Sequence, residues 1–422
     1  MRKSKVKRIC ILGILICALG GVITGCGKKK TENKEKITLE VYDWEEEESY
    51  MKKLAAQYMK ENKDITIHMN FLPVSVYEHE LLVNYEDKKQ IDCIMMPNVS
   101  AMSVLKEKGM LQNIEDRVED SLLAHYPAWF KEKDIKKYML PFRSGRTVVY
   151  YNKTLFDENN IDYPDEDWSW DDYADIAVKL TGEKDGTQVY GSMGFNPGSW
   201  WWGNPAKSAG AINPLKEKDL ELFKEAAEWN YDLTYNKKAQ RPYTELKDIL
   251  SSSEYDVQFL EGNVGMYVSG EWTVENLNRL IKEKNLTFAY DMIQIPRWKE
   301  NERYNFTSAS VISMAGPTEH PDEAYEFMKF IAGKKGADAL AENGILPTWQ
   351  DEEIEKIYKK TVAYPEHTEY FFNDVNMVYL PDDLRFTKAR KIMENEVEKY
   401  LVQEQDLEST FAEIQSKMKE LK

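Results

Sequence analysis

Three tryptophans in a row, Trp200, Trp201 and Trp202, stand in the segment Asn196 to Asn204 (NPGSWWWGN), between Pro197, Gly198 and Gly203. Consecutive side chains point to opposite faces of a strand and lie roughly 100° apart on a helix, so no single core face takes all three rings. At least one ring must be exposed or line a cavity. Of the 422 residues, 12% are aromatic, with 11 Trp and 25 Tyr, and further tryptophans (Trp44, Trp272, Trp349) fall at loop positions. A flat aromatic face suits the apolar C–H face of a pyranose, and the hydroxyl rim of such a ring needs short polar partners nearby. The chemistry on offer is therefore recognition by stacking.

Other chemistries find less support. The five histidines, at 68, 79, 125, 320 and 367, show no ligand spacing such as HExxH, and neither a metal nor a cofactor is expected. Cys93 lies in the apolar run Ile91 to Met96 and reads as a buried structural thiol rather than a nucleophile. A glycoside hydrolase would also want aromatics beside paired carboxylates. With 73 acidic residues such pairing is not readable, and no catalytic signature stands out, so a surface glycan-degrading enzyme remains an alternative. The formal charge of −17 repels nucleic acid and anionic surfaces in general.

The first residues form a separate object. Arg2, Lys3, Lys5, Lys7 and Arg8 precede an apolar run from Ile9 to Ile23, too short for a comfortable membrane span and right for a signal-peptide core. Ile23-Thr24-Gly25-Cys26 resembles a bacterial lipobox, which implies cleavage before Cys26 and a lipid on its sulfur. Leu is usual in that pattern where Ile23 stands. The alternative is an uncleaved anchor with an incidental cysteine. Loss of residues 1–25 leaves a charge of −22 on the mature chain, which keeps Cys93 and no disulfide partner for it. Residues 26–36 then read as the lipidated cysteine and a polar tether, with KKKTENKEK at 28–36.

Beyond the tether, elements that could position the aromatics alternate in type. Ile37 to Tyr42, Ile65 to Leu72 and Ile91 to Met96 read as strands. Between them, Glu45 to Asn62 and Tyr77 to Lys88 carry helical spacing, the first through Met51, Leu54, Ala55, Tyr58 and Met59. Alternation of this kind predicts a mainly parallel sheet with ligands beyond the carboxyl ends of its strands. Tyr138 to Asn152 is strand-like but interrupted at Arg143, Gly145 and Arg146, as for a segment passing between lobes. Ser169 to Leu180 opens with a capping box, Ser169 and Asp172, and a Trp168 to Tyr173 staple. Helices are also predicted over 219–233, 322–332, 386–402 and 406–421, and strands over 264–269, 288–295 and 305–314.

These landmarks stand in a known order. YMLPFRSGRTVVYYNKTLFDENNI (138–161), DWSWDDYADIAVKLT (167–181), FLEGNVGMYVSGEW (259–272) and AGPTEHPDEAYEFMKFIAGKKGADALAENGILPT (315–348) together resemble bacterial extracellular solute-binding proteins of the carbohydrate ABC-transporter type, the maltose and multiple-sugar family. One departure is Val402 to Gln405, where many members have a glycine before the last helix. The resemblance implies an α/β fold, a two-lobed periplasmic-binding-protein-like clamp with a central cleft and a hinge crossed several times. It implies lobe 1 from 37–144 plus 306–345 and lobe 2 from 145–305 plus 346–422. A monomer that hands a sugar to the permease subunits of an ABC transporter, without covalent chemistry, follows from it.

It also implies site residues, each with a plainer reading beside it. Trp272 matches the tryptophan that stacks on sugar, against core packing, and Glu271 precedes it. Trp44 and Glu45 follow the first strand, although Glu45 also suits a helix N-terminus. Asn98 ends the third strand or caps the next helix. Arg143 binds hydroxyls or an acidic sugar, or makes an inter-lobe salt bridge. Ser308 and Ser310 contact ligand or end a strand, and Trp349 sits near a hinge. One or two of Trp200, Trp201 and Trp202 form the platform, Trp201 and Trp202 by preference, and the other supports the loop. A same-fold binder of a peptide, polyamine or other solute is the remaining alternative, since the acidic mature chain favours cations.

Overall fold

The computed structural model describes residues 36–422, apart from 100–101, 128–129, 132–133, 250–251, 307–308, 350, 374–375, 379, 382 and 422. The expected signal, Cys26 and nearly all of the tether lie outside the described residues, and so does Ser308. Twelve strands are described: β1 Ile37–Trp44, β2 Ile65–Leu72, β3 Cys93–Met96, β4 Met139–Ser144, β5 Thr147–Asn152, β6 Gly182–Lys184, β7 Thr187–Met193, β8 Val264–Gly270, β9 Tyr290–Gln294, β10 Tyr304–Phe306, β11 Ala309–Met314 and β12 Asn376–Val378.

Two five-stranded sheets organise the fold, in the orders β2-β1-β3-β11-β4 and β6-β7-β8-β5-β9. In the first, β1 pairs in parallel with β2 and β3, while β11 runs antiparallel to β3 and β4. All four residues of β3 are buried, as a strand covered on both faces requires. The helix Pro321–Ala332 covers one side of this sheet with Phe327, Met328 and Ile331. In the second sheet β5 is flanked by β8 and β9. Its alternate residues feed two cores, Val148 and Tyr150 on one face and Val149 and Tyr151 on the other. The architecture is thus the two-lobed α/β clamp.

The chain crosses between sheets at short, tightly tied segments. It leaves β4 at Ser144 and enters β5 at Thr147, then returns from β10 at Phe306 to β11 at Ala309. Buried Asn305 ties the two passes, accepting from the Thr147 N–H at 3.1 Å and donating to the Thr147 carbonyl at 2.8 Å. A third pass runs beside them: Ser144 N–H donates to the Leu346 carbonyl, and Thr348 N–H to the Phe142 carbonyl.

Several predicted elements form with shifted ends. The Ser169–Asp172 capping box is present and starts the helix Trp170–Leu180, and the Trp168 and Tyr173 rings lie 5.8 Å apart. The predicted helix at Glu45 begins instead with a 3-10 turn, Glu45–Glu47, and turns α-helical over Glu48–Glu61. The helices predicted from 219, 322, 386 and 406 span Glu217–Tyr231, Pro321–Ala332, Leu384–Leu401 and Leu407–Lys419. The helix Leu384–Leu401 touches both the short helix Met102–Glu107 and the helix Glu217–Tyr231. Among the described residues no helix is long and apolar enough to cross a membrane.

Candidate functional site

The tryptophan run folds as a 3-10 turn, Trp200–Gly203. At three residues per turn its side chains spread about 120° apart, which separates the three rings by direction. Trp200 is buried edge-on to Phe223 at 5.2 Å, and Trp202 is buried near the same ring at 6.0 Å. Trp201 alone is half-buried. One face of its indole stacks on Phe195 at 4.6 Å, and Phe195 in turn packs on Tyr255 and Tyr267.

Trp201 meets a second half-buried indole. Trp272 opens the helix Trp272–Lys284 directly after β8, and its ring stands 5.8 Å from Trp201 at 77°, so the two form an aromatic corner. The Trp272 Nε1 and Trp349 Nε1 donors are buried without a hydrogen-bond partner in the structure. Gly270 sits under the corner: a Cβ there would lie 2.1 Å from the Trp272 ring. Behind Trp201 and Trp202 lies a cavity of about 30 Å³, lined also by Trp170, Asn204 and Trp229. That volume suits a water or two, where a water needs about 10–15 Å³, and is far too small for a sugar ring.

Beside the corner the two sheets are joined by charge. Arg143, on β4 of the first sheet, donates from Nε to Glu271 Oε1 at 2.9 Å, and Glu271 follows β8 of the second. Its Nη1 pairs with Glu47 and lies 3.2 Å from the Tyr50 hydroxyl. Glu271 also accepts the Arg146 N–H at 3.2 Å. Arg143, Glu47 and Glu271 are all buried, and buried Asp43 lies next to them at the end of β1. Burial raises the pKa values of all three carboxyls. Glu47 is pushed up to about 7, chiefly by burial, with Glu271 and Glu46 adding to it and Arg143 opposing. Burial alone would lower Arg143, but Glu47 and Glu271 hold its guanidinium charged.

The remaining expected residues are spread around this junction. Trp44 is buried at the end of β1, edge-on to Tyr77 at 6.2 Å, and Glu45 beside it is exposed. Asn98, two residues past β3, is half-buried. Trp349 is half-buried, stacks on His125 at 4.1 Å, and packs against both the first core and one core of the second sheet. Ser310 is buried on β11. Sequence reasoning missed Glu47, Tyr50, Phe195 and Lys207. The last is buried, donates to the Trp200 carbonyl at 3.1 Å, and lies 5.5 Å from the Trp201 ring centroid. The fold also brings Asp291, Glu366 and His367 within 4.8 Å of one another. The Asp291 oxygens already accept from the Met292 and His367 N–H groups and pair with the His367 ring.

A family model described as bacterial extracellular solute-binding protein matches residues 42–338, well over half of the sequence. The chain belongs to that family. This solute-binding protein is 22% identical over 343 residues to the multiple sugar-binding protein of Streptococcus mutans serotype c, covering 77% of this chain and 78% of that one. Among solved structures it resembles a sugar transporter protein of Rhizobium etli in an open conformation, with a TM-score of 0.76 and 22% identity over 92% of this chain and 100% of that one. It also resembles an ABC substrate-binding protein of Listeria monocytogenes in complex with cycloalternan, with a TM-score of 0.77 and 19% identity over 91% and 98% of the two chains. Those likenesses show the two-lobed fold of this chain.

Proposed function

We propose that this solute-binding protein captures a sugar or oligosaccharide between its lobes and delivers it to the permease of an ABC transporter, without chemically altering it. The observation that carries the reading is the Trp201–Trp272 corner. It offers two half-buried indoles beside the Arg143–Glu271 junction between sheets, where a ring entering the cleft meets both. The Streptococcus mutans relative is named for multiple sugars and the Listeria structure holds cycloalternan, which supports the same solute class.

In this reading Trp201 and Trp272 are the platform, with Phe195 behind it and Trp200 and Trp202 as the loop's support. Glu45, Asn98 and Trp349 add further ligand contacts, Ser308 is assigned one by family resemblance, and buried Trp44 supports them from the end of β1. Lobe 1 comprises 37–144 plus 306–345, and lobe 2 comprises 145–305 plus 346–422. Cleavage before Cys26 and lipidation of its sulfur tether a monomer to the outer face of the cell membrane.

Thermal shift and intrinsic tryptophan fluorescence across neutral and acidic mono- and oligosaccharides test the solute class, since a ligand of the folded state alone raises its apparent stability. A saccharide that stabilises the protein and changes its emission is the expected result. Stabilisation by polyamines or peptides alone defeats it. Release of reducing ends from a glycan panel would make the protein an enzyme instead. With the saccharide in hand, Gly270→Ala is expected to weaken binding about tenfold or more, a loss of about 1.4 kcal/mol, because the new methyl displaces the Trp272 ring. Calorimetric titration of the variant measures it.

A further inference from the structure

Two buried carboxylates, Glu47 and Glu271, pair with one guanidinium, Arg143, and a third, Asp43, lies close enough to feel the charges of Glu47 and Arg143. With all of them ionised the cluster holds two uncompensated negative charges away from water, an arrangement that a protein interior does not sustain. Two oxygens locate the imbalance. Asp43 Oδ1 accepts the Trp44 N–H at 2.9 Å, but Asp43 Oδ2 is buried with no partner. Glu47 Oε1 pairs with Arg143, but Glu47 Oε2 is likewise buried and unpartnered. A proton on either oxygen removes one charge and turns an orphaned acceptor into a hydroxyl.

We propose that Glu47 is a positioning residue of the clamp: with Arg143 it holds the lobes together across Glu271, and a proton retained on the Asp43–Glu47 pair is part of that latch, so that closing takes up a proton and opening releases one.

The groups around the pair leave it as the site that titrates. From the 3-10 turn Glu46 faces it, and from the helix Glu48–Glu61 Tyr50 reaches Arg143, while Tyr42, next to Asp43 on β1, points to the opposite face of the sheet. Tyr77, from the helix Tyr77–Glu86, shares its one hydroxyl proton between the Tyr42 and Met95 carbonyls, and Tyr358 faces Glu271 from the helix Glu352–Thr361. Burial raises Tyr42, Tyr77 and Tyr358 further above their usual range, so they stay neutral. Glu46 is exposed at the surface, but the protein beside it displaces enough water to raise its carboxyl, and it adds negative charge when ionised. Arg143 is the cation of the cluster, and Arg146 contributes its backbone N–H to Glu271.

The direction follows from linkage. A carboxyl whose pKa is higher in the closed form than in water favours closing at low pH. That advantage is complete below the solvated value and fades as pH rises through the closed-form value. With the assembled Glu47–Arg143–Glu271 cluster taken as the closed latch, the window for Glu47 runs from its usual value near 4.5 to about 7. One proton of difference makes the closed-to-open ratio fall roughly tenfold per pH unit within it.

The latch needs only the two-lobed fold, whatever the solute, so the test uses the full-length protein without ligand. Small-angle scattering and tryptophan fluorescence are followed from pH 4.5 to 8.5, with circular dichroism to confirm that the fold persists. The expected result is a compact form at the acid end that expands as pH rises toward 7. Glu47→Gln, which keeps the shape and the neutral charge, is expected to remain compact throughout. Asp43→Asn serves as a second variant should Glu47→Gln not fold, with the same expectation. A radius of gyration independent of pH, or an unchanged transition in a folded variant, overturns the proposal.

Discussion

Arg143→Met is expected to lower the unfolding free energy by about 3–5 kcal/mol at neutral pH, the cost of stranding buried charges after one partner is removed. Arg143 is the only basic side chain within salt-bridge distance of Glu47 and Glu271 among the described residues, and both carboxyls are almost fully buried. Methionine fills much of the same volume, so little of the loss comes from packing. The cost comes from the carboxylates left behind, and two further results check that source. The loss shrinks as pH falls, because without the guanidinium both carboxyls protonate more readily and the stranded charge disappears. The triple variant Arg143→Met, Glu47→Gln, Glu271→Gln recovers most of the stability, because it removes the charges along with their partner. Urea unfolding of the single and triple variants at pH 5 and pH 8 measures all of this. A loss equal at both pH values and not recovered in the triple variant would mean that the guanidinium contributes by packing alone.

The same residues show what the sequence could carry. Elements built from local signals were legible: the Ser169–Asp172 cap, and the helices Pro321–Ala332 and Leu384–Leu401, whose apolar spacing survives in the buried faces. The helix Glu352–Thr361 was not, because its buried positions are only Ile354 and Tyr358 in a strongly charged segment. Glu47 was hidden for a related reason. In the run Glu45 to Glu48 every residue is the same, and acidic residues at a helix start read as a solvated end. The 3-10 turn over Glu45–Glu47 departs from α-helical phasing and leaves Glu47 buried while Glu45 and Glu46 stay exposed. No feature of the sequence distinguishes the third glutamate from the first two. Arg143 carried two readings of equal weight, and the structure shows its ion pairs to Glu47 and Glu271. The partner that makes one of those pairs lies far away in the chain: Glu271 comes 128 residues later, just past a strand of the other sheet. Trp201 and Trp272 are a similar case, since each was legible as a loop tryptophan but their meeting at one corner is a property of the sheet order.

The tryptophan run yields the sharpest separation of binding from stability. Trp200→Ala and Trp202→Ala are each expected to destabilise the protein by about 3–5 kcal/mol, the usual cost of deleting a buried aromatic, because both rings are buried around Phe223 in the large core. Trp201→Ala is expected to cost less in stability, since its ring is only half-buried and loses chiefly the stack on Phe195. Its effect falls on affinity: removing a platform indole costs about 2 kcal/mol or more, close to a thirtyfold rise in Kd. Trp201→Phe keeps a flat face over Phe195 and is expected to recover part of the affinity. The 3-10 geometry makes this contrast possible, because three adjacent rings about 120° apart cannot share one environment. Urea unfolding and calorimetric titration with the saccharide found in the ligand screen, run on the same four variants, measure the two effects separately. Equal affinity losses in all three alanine variants would place the platform elsewhere, while a thirtyfold loss confined to Trp201→Ala places one face of the bound sugar on that indole.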